Sequence, residues 1–459
     1  MEKNFSFKVN TEKDKNDRME PFLELIKEMD QVNLDLDYFL SVSNRLMTFS
    51  NDLNCISDDI IENTIEKYDI VNRLCEMIES FSNSEFICYN LFVTLKNIII
   101  KIYSAKNIFS RNLEEILLKY QPNESMRPIV IDIIESLCGS KNGAIFVLKS
   151  DLFRFIMDIS FELLFQLKSD FNIYSNKITM VNKFLNIIKH IIEQIPEDIE
   201  KYIEVFFELL NNAFDSQHSY NFEKLGIEIL IKLVKSNYGE YVYHSGILLN
   251  IFSFLSNETD RIVITYIIKL INIYLSEELI PIDEFEKLIP LNEITYCFIK
   301  FNQNDYELTQ NSLLFFNNII RNEIINISFF LDNNDFMDSI ILILKESGNI
   351  IRKNGLNLIW DFIYYGTNEQ KLMIVDSPLF DFLVDSFYLD EPSFYIETIL
   401  KSFREVLNMY IINDKTNENS FKRIENEIVP ILVEMSLSDN EEISKHSYQI
   451  LYDFFPETI

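Results

Sequence analysis

A short helical pattern recurs at long intervals along this chain. Its clearest copy lies within Asn311–Asn322, where Leu313, Phe316, Ile319 and Ile320 fall at the three- and four-residue spacings of one helix face. Asn318 sits inside that apolar run, where a polar side chain must find partners or face a groove. The same tetrad, apolar at both ends with a polar residue between, reads Leu95-Lys96-Asn97-Ile98, Ile134-Glu135-Ser136-Leu137, Phe184-Leu185-Asn186-Ile187, Leu230-Ile231-Lys232-Leu233 and Leu270-Ile271-Asn272-Ile273. Weaker copies are Ile359-Trp360-Asp361-Phe362, Phe403-Arg404-Glu405-Val406 and Leu451-Tyr452-Asp453-Phe454. The step from Asn97 to Ser136 is 39 positions, that from Ser136 to Asn186 is 50, and the others fall between. That is the period of stacked repeats of two or three helices. A chain built this way buries each repeat only against its neighbours.

Composition agrees with a helical array. Gly (8) and Pro (10) are too few for an all-β fold rich in tight turns, while 47% of residues are apolar, enough for a continuous core. The net charge of −31 repels nucleic acid and anionic membranes and attracts basic partners. For most of these acids a solvated outer face is the commoner explanation. Five cysteines, an odd number with no C-x-x-C pair, and a polar start without a secretory signal read as reduced thiols in a cytoplasmic or nuclear protein. No apolar run approaches a membrane span.

In chain order, residues 1–28 are expected to form a flexible arm of alternating charge, with a helix beginning near Pro21, and residues 29–459 a single solenoid. Asp35 to Phe49 opens the array as a short first copy. Ser84 is a candidate N-cap for the helix that carries Asn97. Lys168 to Asn176 reads as a loop, and Asp414 to Ser420 as a polar linker.

Five stretches carry a resemblance. Asp58-Asp-Ile-Ile-Glu62 leads into Ile70-Val-Asn-Arg-Leu74, and Leu137-Cys-Gly139 is followed by Val147-Leu148. Pro196 to Leu210, Gly366-Thr-Asn-Glu-Gln370 and Ser444 to Phe455 follow in the same order. In order, repeat number and the long fourth repeat the chain resembles importin-α, the armadillo-repeat adaptor that carries nuclear-localisation signals. The resemblance covers nearly the whole chain. It implies an all-α, right-handed α-solenoid (superhelix) of about ten armadillo-like repeats, with a concave groove lined by the second long helix of each repeat. In that family an Asn on this helix hydrogen-bonds the backbone of an extended basic peptide, and a Trp four residues earlier packs on its Lys and Arg stems. Matched position by position, Asn97, Asn186, Asn272 and Asn318 keep the Asn. Ser136, Lys232, Asp361, Glu405 and Asp453 replace it, and Ser136 and Asp361 join the four Asn as candidate peptide-binding residues. The Trp positions hold Val93, Asp132, Asn182, Glu228, Ile268, Leu314 and Asn357, and the chain's one Trp, Trp360, lies out of register. Lys101 and Ser140 stand where the family's principal lysine pocket has a Gly and an Asp.

The resemblance therefore implies an adaptor that binds nuclear-localisation signals or other basic segments and recruits an importin-β-like carrier. The alternative is an armadillo scaffold that has lost such cargo. An enzyme is not expected: no phosphate loop, nucleophile elbow or H-E-x-x-H motif occurs, and His190, His218, His244 and His446 are dispersed. No metal or cofactor is implied, nor any direct contact with nucleic acid or membrane.

Overall fold

Several helices start where a small polar residue satisfies free backbone N–H groups. Ser110, Ser140, Asp260, Asp305 and Asn333 each accept a hydrogen bond from the first turn of the helix they precede. Thr367 and Gln370 form a reciprocal capping box, which gives the Gly366-Thr-Asn-Glu-Gln370 motif its physical meaning. Gly366 belongs to the same device, since a Cβ there would lie 2.4 Å from the Phe362 carbonyl oxygen. Ser84 occupies an N-cap position with extended backbone, but its side chain makes no capping bond.

The computed structural model describes residues 19–458, apart from 31–34, 102–108, 170–174, 217–221, 258–259, 278, 280, 282–283, 285–286, 303–304, 386–392 and 414–418. The chain divides into two compact units, Met1–Tyr238 and Gly239–Ile459. Among the described residues both are helical throughout.

The first unit holds α1 (Glu20–Met29), α2 (Leu36–Asn51), α3 (Asp58–Tyr68), α4 (Ile70–Ser80), α5 (Glu85–Ile99), α6 (Arg111–Tyr120), α7 (Arg127–Cys138), α8 (Lys141–Lys149), α9 (Asp151–Ser169), α10 (Ser175–Gln194), α11 (Ile203–Phe214) and α12 (Glu223–Leu233). Helices α2, α5, α7, α10 and α12 pack side by side as one layer, and α4, α6, α9 and α11 as a second layer against it. The core lies between the layers, where Phe92, Phe184, Phe206 and Phe222 are fully buried. After α12 the backbone kinks at Asn237, whose φ of 69° lies in the left-handed region that Asn tolerates better than most residues.

The second unit holds α13 (Gly239–His244), α14 (Ile247–Phe252), α15 (Arg261–Ser276), α16 (Leu291–Phe301), α17 (Tyr306–Arg321), α18 (Ser328–Leu331), α19 (Asn334–Glu346), α20 (Asn349–Tyr365), α21 (Asn368–Val375), α22 (Pro378–Asp385), α23 (Ser393–Ile412), α24 (Asn419–Ser436) and α25 (Glu441–Phe454). Helices α15, α17, α20, α23 and α25 form the corresponding layer, backed by α16, α19 and α22. Phe316 is the centre of this core, with the rings of Phe298, Phe315, Phe330 and Phe336 all 5.1–5.4 Å from its own. Every tetrad of the sequence pattern lies on one of these layer helices, its apolar ends buried except at Ile273 and Phe454, which are half-buried.

Two boundaries move. The helix expected near Pro21 is α1, Glu20–Met29, held by burial of Phe22, Leu25, Ile26 and Met29, so the arm drawn over residues 1–28 is too long. The Phe22 ring lies 5.7 Å from that of Phe49 on α2. The expected loop from Lys168 to Asn176 is shorter, because α9 runs through Ser169 and α10 starts at Ser175. Residues 1–18 of that arm lie outside the described residues.

Candidate functional site

The candidate binding residues all lie on the layer of longer helices, and most are engaged by neighbouring helices of that layer. Asn97 on α5 donates to Ser50 Oγ (2.9 Å) and Asn51 Oδ1 (2.8 Å), both at the end of α2. Asn272 on α15 is buried and donates to the Asn311 carbonyl on α17 (2.9 Å), while Asn318 of α17 donates back to Asn272 Oδ1 (3.4 Å). Ser136 on α7 turns its hydroxyl to the Asp132 carbonyl one turn earlier (2.7 Å). Asp361 on α20 is buried and accepts from Arg321 Nε of α17 (2.9 Å). Burial pushes its carboxyl up to about 6, and Arg321 only partly offsets this. Asn186 on α10 is half-buried and makes no hydrogen bond among the described residues.

The positions that hold Trp in importin-α carry a different chemistry. Asp132 on α7 receives Lys96 of α5 at 2.7 Å and Lys183 of α10 on its other side. Burial raises the Asp132 carboxyl, but the hydrogen bonds from Lys183 and Lys96 outweigh that and hold it below the usual carboxylate range. Glu228 on α12 receives Lys189 of α10 at 2.9 Å. Lys232 of α12 returns to Glu193 of α10 at 2.9 Å. In the second unit Lys269 of α15 pairs with Glu307 of α17, and Arg404 of α23 with Asp453 of α25 at 3.0 Å. Ion pairs thus cross between successive layer helices at the register where the resemblance expects a peptide. The remaining changes have local causes too. Lys101 faces Asp58 at 3.6 Å, and Ser140 is the N-cap of α8, accepting from Gly143 N at 3.1 Å. Trp360 packs on Tyr364, ring centroids 5.2 Å apart.

Sequence reasoning passed over two features. Asn90, one helical turn up α5 from Thr94, is buried and donates to Ser43 Oγ and Asn44 Oδ1 of α2 (3.0 and 2.8 Å). A polar residue seven positions before Asn97 on an apolar helix was the available signal. The second is a cavity of about 450 Å³ between the starts of α7 and α10. Arg127, Lys177 and Lys183 line it against one carboxylate, Glu124, over an apolar floor that includes Ile131 and Met180. Its lining is cationic in a strongly acidic chain.

Among the described residues no three His, Cys, Asp or Glu side chains gather to hold a metal ion, and no helix is long and apolar enough to cross a membrane. Burial pushes the Cys75 thiol up to about 12 and the Cys297 thiol up to about 11, far from a reactive thiolate.

No family model and no curated protein matches the sequence. Solved structures do match. An engineered protein aligns over 94% of this chain and 98% of its own length, at 14% identity and a TM-score of 0.59. Yeast importin-beta, Kap95p, in a structure with RanGDP, aligns over 94% of this chain at 12% identity and a TM-score of 0.55. This chain covers 57% of Kap95p. Beta-catenin, from a study of its phosphorylation-controlled interaction with cadherin, aligns over 95% of this chain and 83% of its own, at 11% identity and a TM-score of 0.53. The fold is an armadillo-type α-solenoid. At such identities the likeness establishes the solenoid architecture and leaves its ligands open. In this armadillo-type solenoid the layer that carries the repeat register is laced by hydrogen bonds and ion pairs between its own helices.

Proposed function

We propose that this chain is a non-catalytic protein-binding scaffold of the armadillo type, whose layer of long helices no longer serves as a ladder for basic signal peptides. One observation carries this reading. The amides of Asn97, Asn272 and Asn318 donate to neighbouring helices, while Asp132 and Glu228 hold lysines at the aromatic positions. A basic peptide on this layer would have to break those bonds and face Lys96, Lys183, Lys189 and Lys232. The exchange yields no net gain unless it replaces every buried partner. The solenoid form supports a protein partner, since stacked repeats offer an extended surface.

A second reading, an importin-α-like adaptor for nuclear-localisation signals in nuclear import, is favoured by the free amide of Asn186 and the net charge of −31. Both readings place the protein in the cytoplasm and nucleus. The test is a titration of the full chain with a labelled Lys/Arg-rich signal peptide at low and physiological salt, repeated for Asn186→Ala. The scaffold reading expects binding that fades as salt screens a very acidic surface and that ignores the substitution. Saturable binding at physiological salt that weakens by about ten-fold or more in Asn186→Ala, the worth of one charge-free hydrogen-bond partner or more, would restore the adaptor.

A further inference from the structure

The first two helices of the stack form a groove separate from the register discussed above. It lies between α1 and α2, beside the edge of α2 that meets α5, and has a volume of about 820 Å³. Helix α5 takes the adjoining edge of α2, through Asn90 on Ser43 and Asn44 and Asn97 on Ser50, so that Asn44 stands at the border of the groove. On the groove side Asp37, Leu40, Asn44, Thr48 and Asp52 follow each other at three- and four-residue spacings and mark one continuous face of α2. That face is about 20 Å long at the rise of a helix. Pro21, Glu24, Leu25 and Glu28 of α1 supply the facing wall at the same spacings. Leu25, Leu40 and Phe49 give the groove an apolar floor, with Leu25 buried and the other two half-buried.

Its rim is acidic. The one cation among its described lining residues, Arg45, is taken by Glu28 at 3.3 Å, and Glu28 also accepts from the Tyr38 hydroxyl at 3.2 Å. Glu24, Asp37 and Asp52 have no cationic partner among the described residues. An apolar floor between two antiparallel helical stripes, flanked by unpaired carboxylates, has the shape and charge to receive a third helix.

We infer that this groove docks an amphipathic helix of about four turns from a partner protein, with an apolar stripe on Leu25, Leu40 and Phe49 and Lys or Arg on both flanks. Unpaired carboxylates on the rim steer it and reject acidic helices. The inference does not depend on how the Asn register is used.

The probe is a fluorescent sixteen-residue peptide with Leu at i, i+3, i+4 and i+7 repeats and Lys on the flanks. Its anisotropy is followed with the full chain at physiological salt, beside a scrambled peptide of the same composition. The variants are Glu24→Lys/Asp37→Lys in the groove and Asp332→Lys/Asp338→Lys elsewhere, which change the net charge equally. The expected result is saturable binding of the patterned peptide, lowered about ten-fold or more by scrambling and by the groove variant, and unchanged by the distant one. Equal binding of both peptides, or equal loss in both variants, would reduce the effect to general charge attraction and overturn the inference. A dimer of the free chain that dissociates in the groove variant, seen by sedimentation, would assign the groove to a second copy and overturn it as well.

Discussion

Asp361 shows how one residue can stand in a motif's register and do other work. It takes the place of a peptide-binding Asn, yet it is buried against Arg321 of the preceding layer helix. Its carboxyl is raised to about 6, so the folded chain holds this proton more tightly than the unfolded chain, whose ordinary value is near 3.8. The stability that this group contributes is therefore fully present below about pH 4 and lost as pH rises through 6. Between pH 5 and 7.5 the loss is about 1 kcal/mol, by linkage from that shift. Asp361→Asn removes the slope. Denaturant unfolding at both pH values should show the variant gaining on the parent chain by about that amount as pH rises. An unchanged difference would mean that Asp361 stays ionised throughout. The residue scale also shows what the sequence made legible. Asn318 in an apolar run implies a partner, and Asn272 is that partner. The direction of the amide is the illegible part, because a partner 46 positions away in the chain is as good as a peptide to an Asn that only needs its bonds made.

At the scale of helices, the layer is laced by charges whose pairing follows the stack and not the sequence. Asp132 lies between Lys96 and Lys183, all three less than a third exposed. Asp132→Ala leaves two ammonium groups facing each other in a partly dry site, and the loss should be about 2–4 kcal/mol by chemical denaturation. Replacing the trio with apolar residues, Asp132→Leu with Lys96→Met and Lys183→Met, should recover most of it, since the ions contribute little beyond satisfying one another. A second element carries a steric prediction. Gly226 on α12 meets the Phe214 ring of α11, which would lie 2.5 Å from a Cβ. Gly226→Ala should cost about 1–3 kcal/mol as the ring is displaced, visible as a lower unfolding midpoint at unchanged slope. The period of 39 to 50 residues located the layer helices and their apolar faces before any coordinates. It could not locate the ion pairs, because pairing across the stack depends on how far each helix slides along its neighbour, and a tetrad is silent about that.

At the scale of the molecule, each unit is a stack in which a repeat touches only its neighbours, so damage should stay local. Phe316→Ala empties the ring cluster of the second unit, a change worth about 3–5 kcal/mol. Native-state hydrogen exchange should show protection falling in α15, α17, α19 and α20, while α24 and α25 at the far end of the same unit keep theirs. Uniform loss across that unit would instead show a single cooperative block. The solenoid architecture was readable throughout the chain because it rests on helix periodicity alone. The acidic groove at α1 and α2 was not, since the helix expected near Pro21 gives no sign in sequence of its partner, and burial of Phe22 against Phe49 is what makes it a wall.

The trio of Lys96, Asp132 and Lys183 also bears on how such a chain can change length over evolutionary time. Repeat arrays commonly grow and shrink by whole units. If the repeat that carries Asp132 were excised, Lys96 would be brought against Lys183, lysine to lysine, in a seam now held by a carboxylate. At this seam a single-unit deletion carries a penalty that an apolar seam would not, whereas the next seam, with Lys189 on Glu228 and Lys232 on Glu193, holds both signs on each helix.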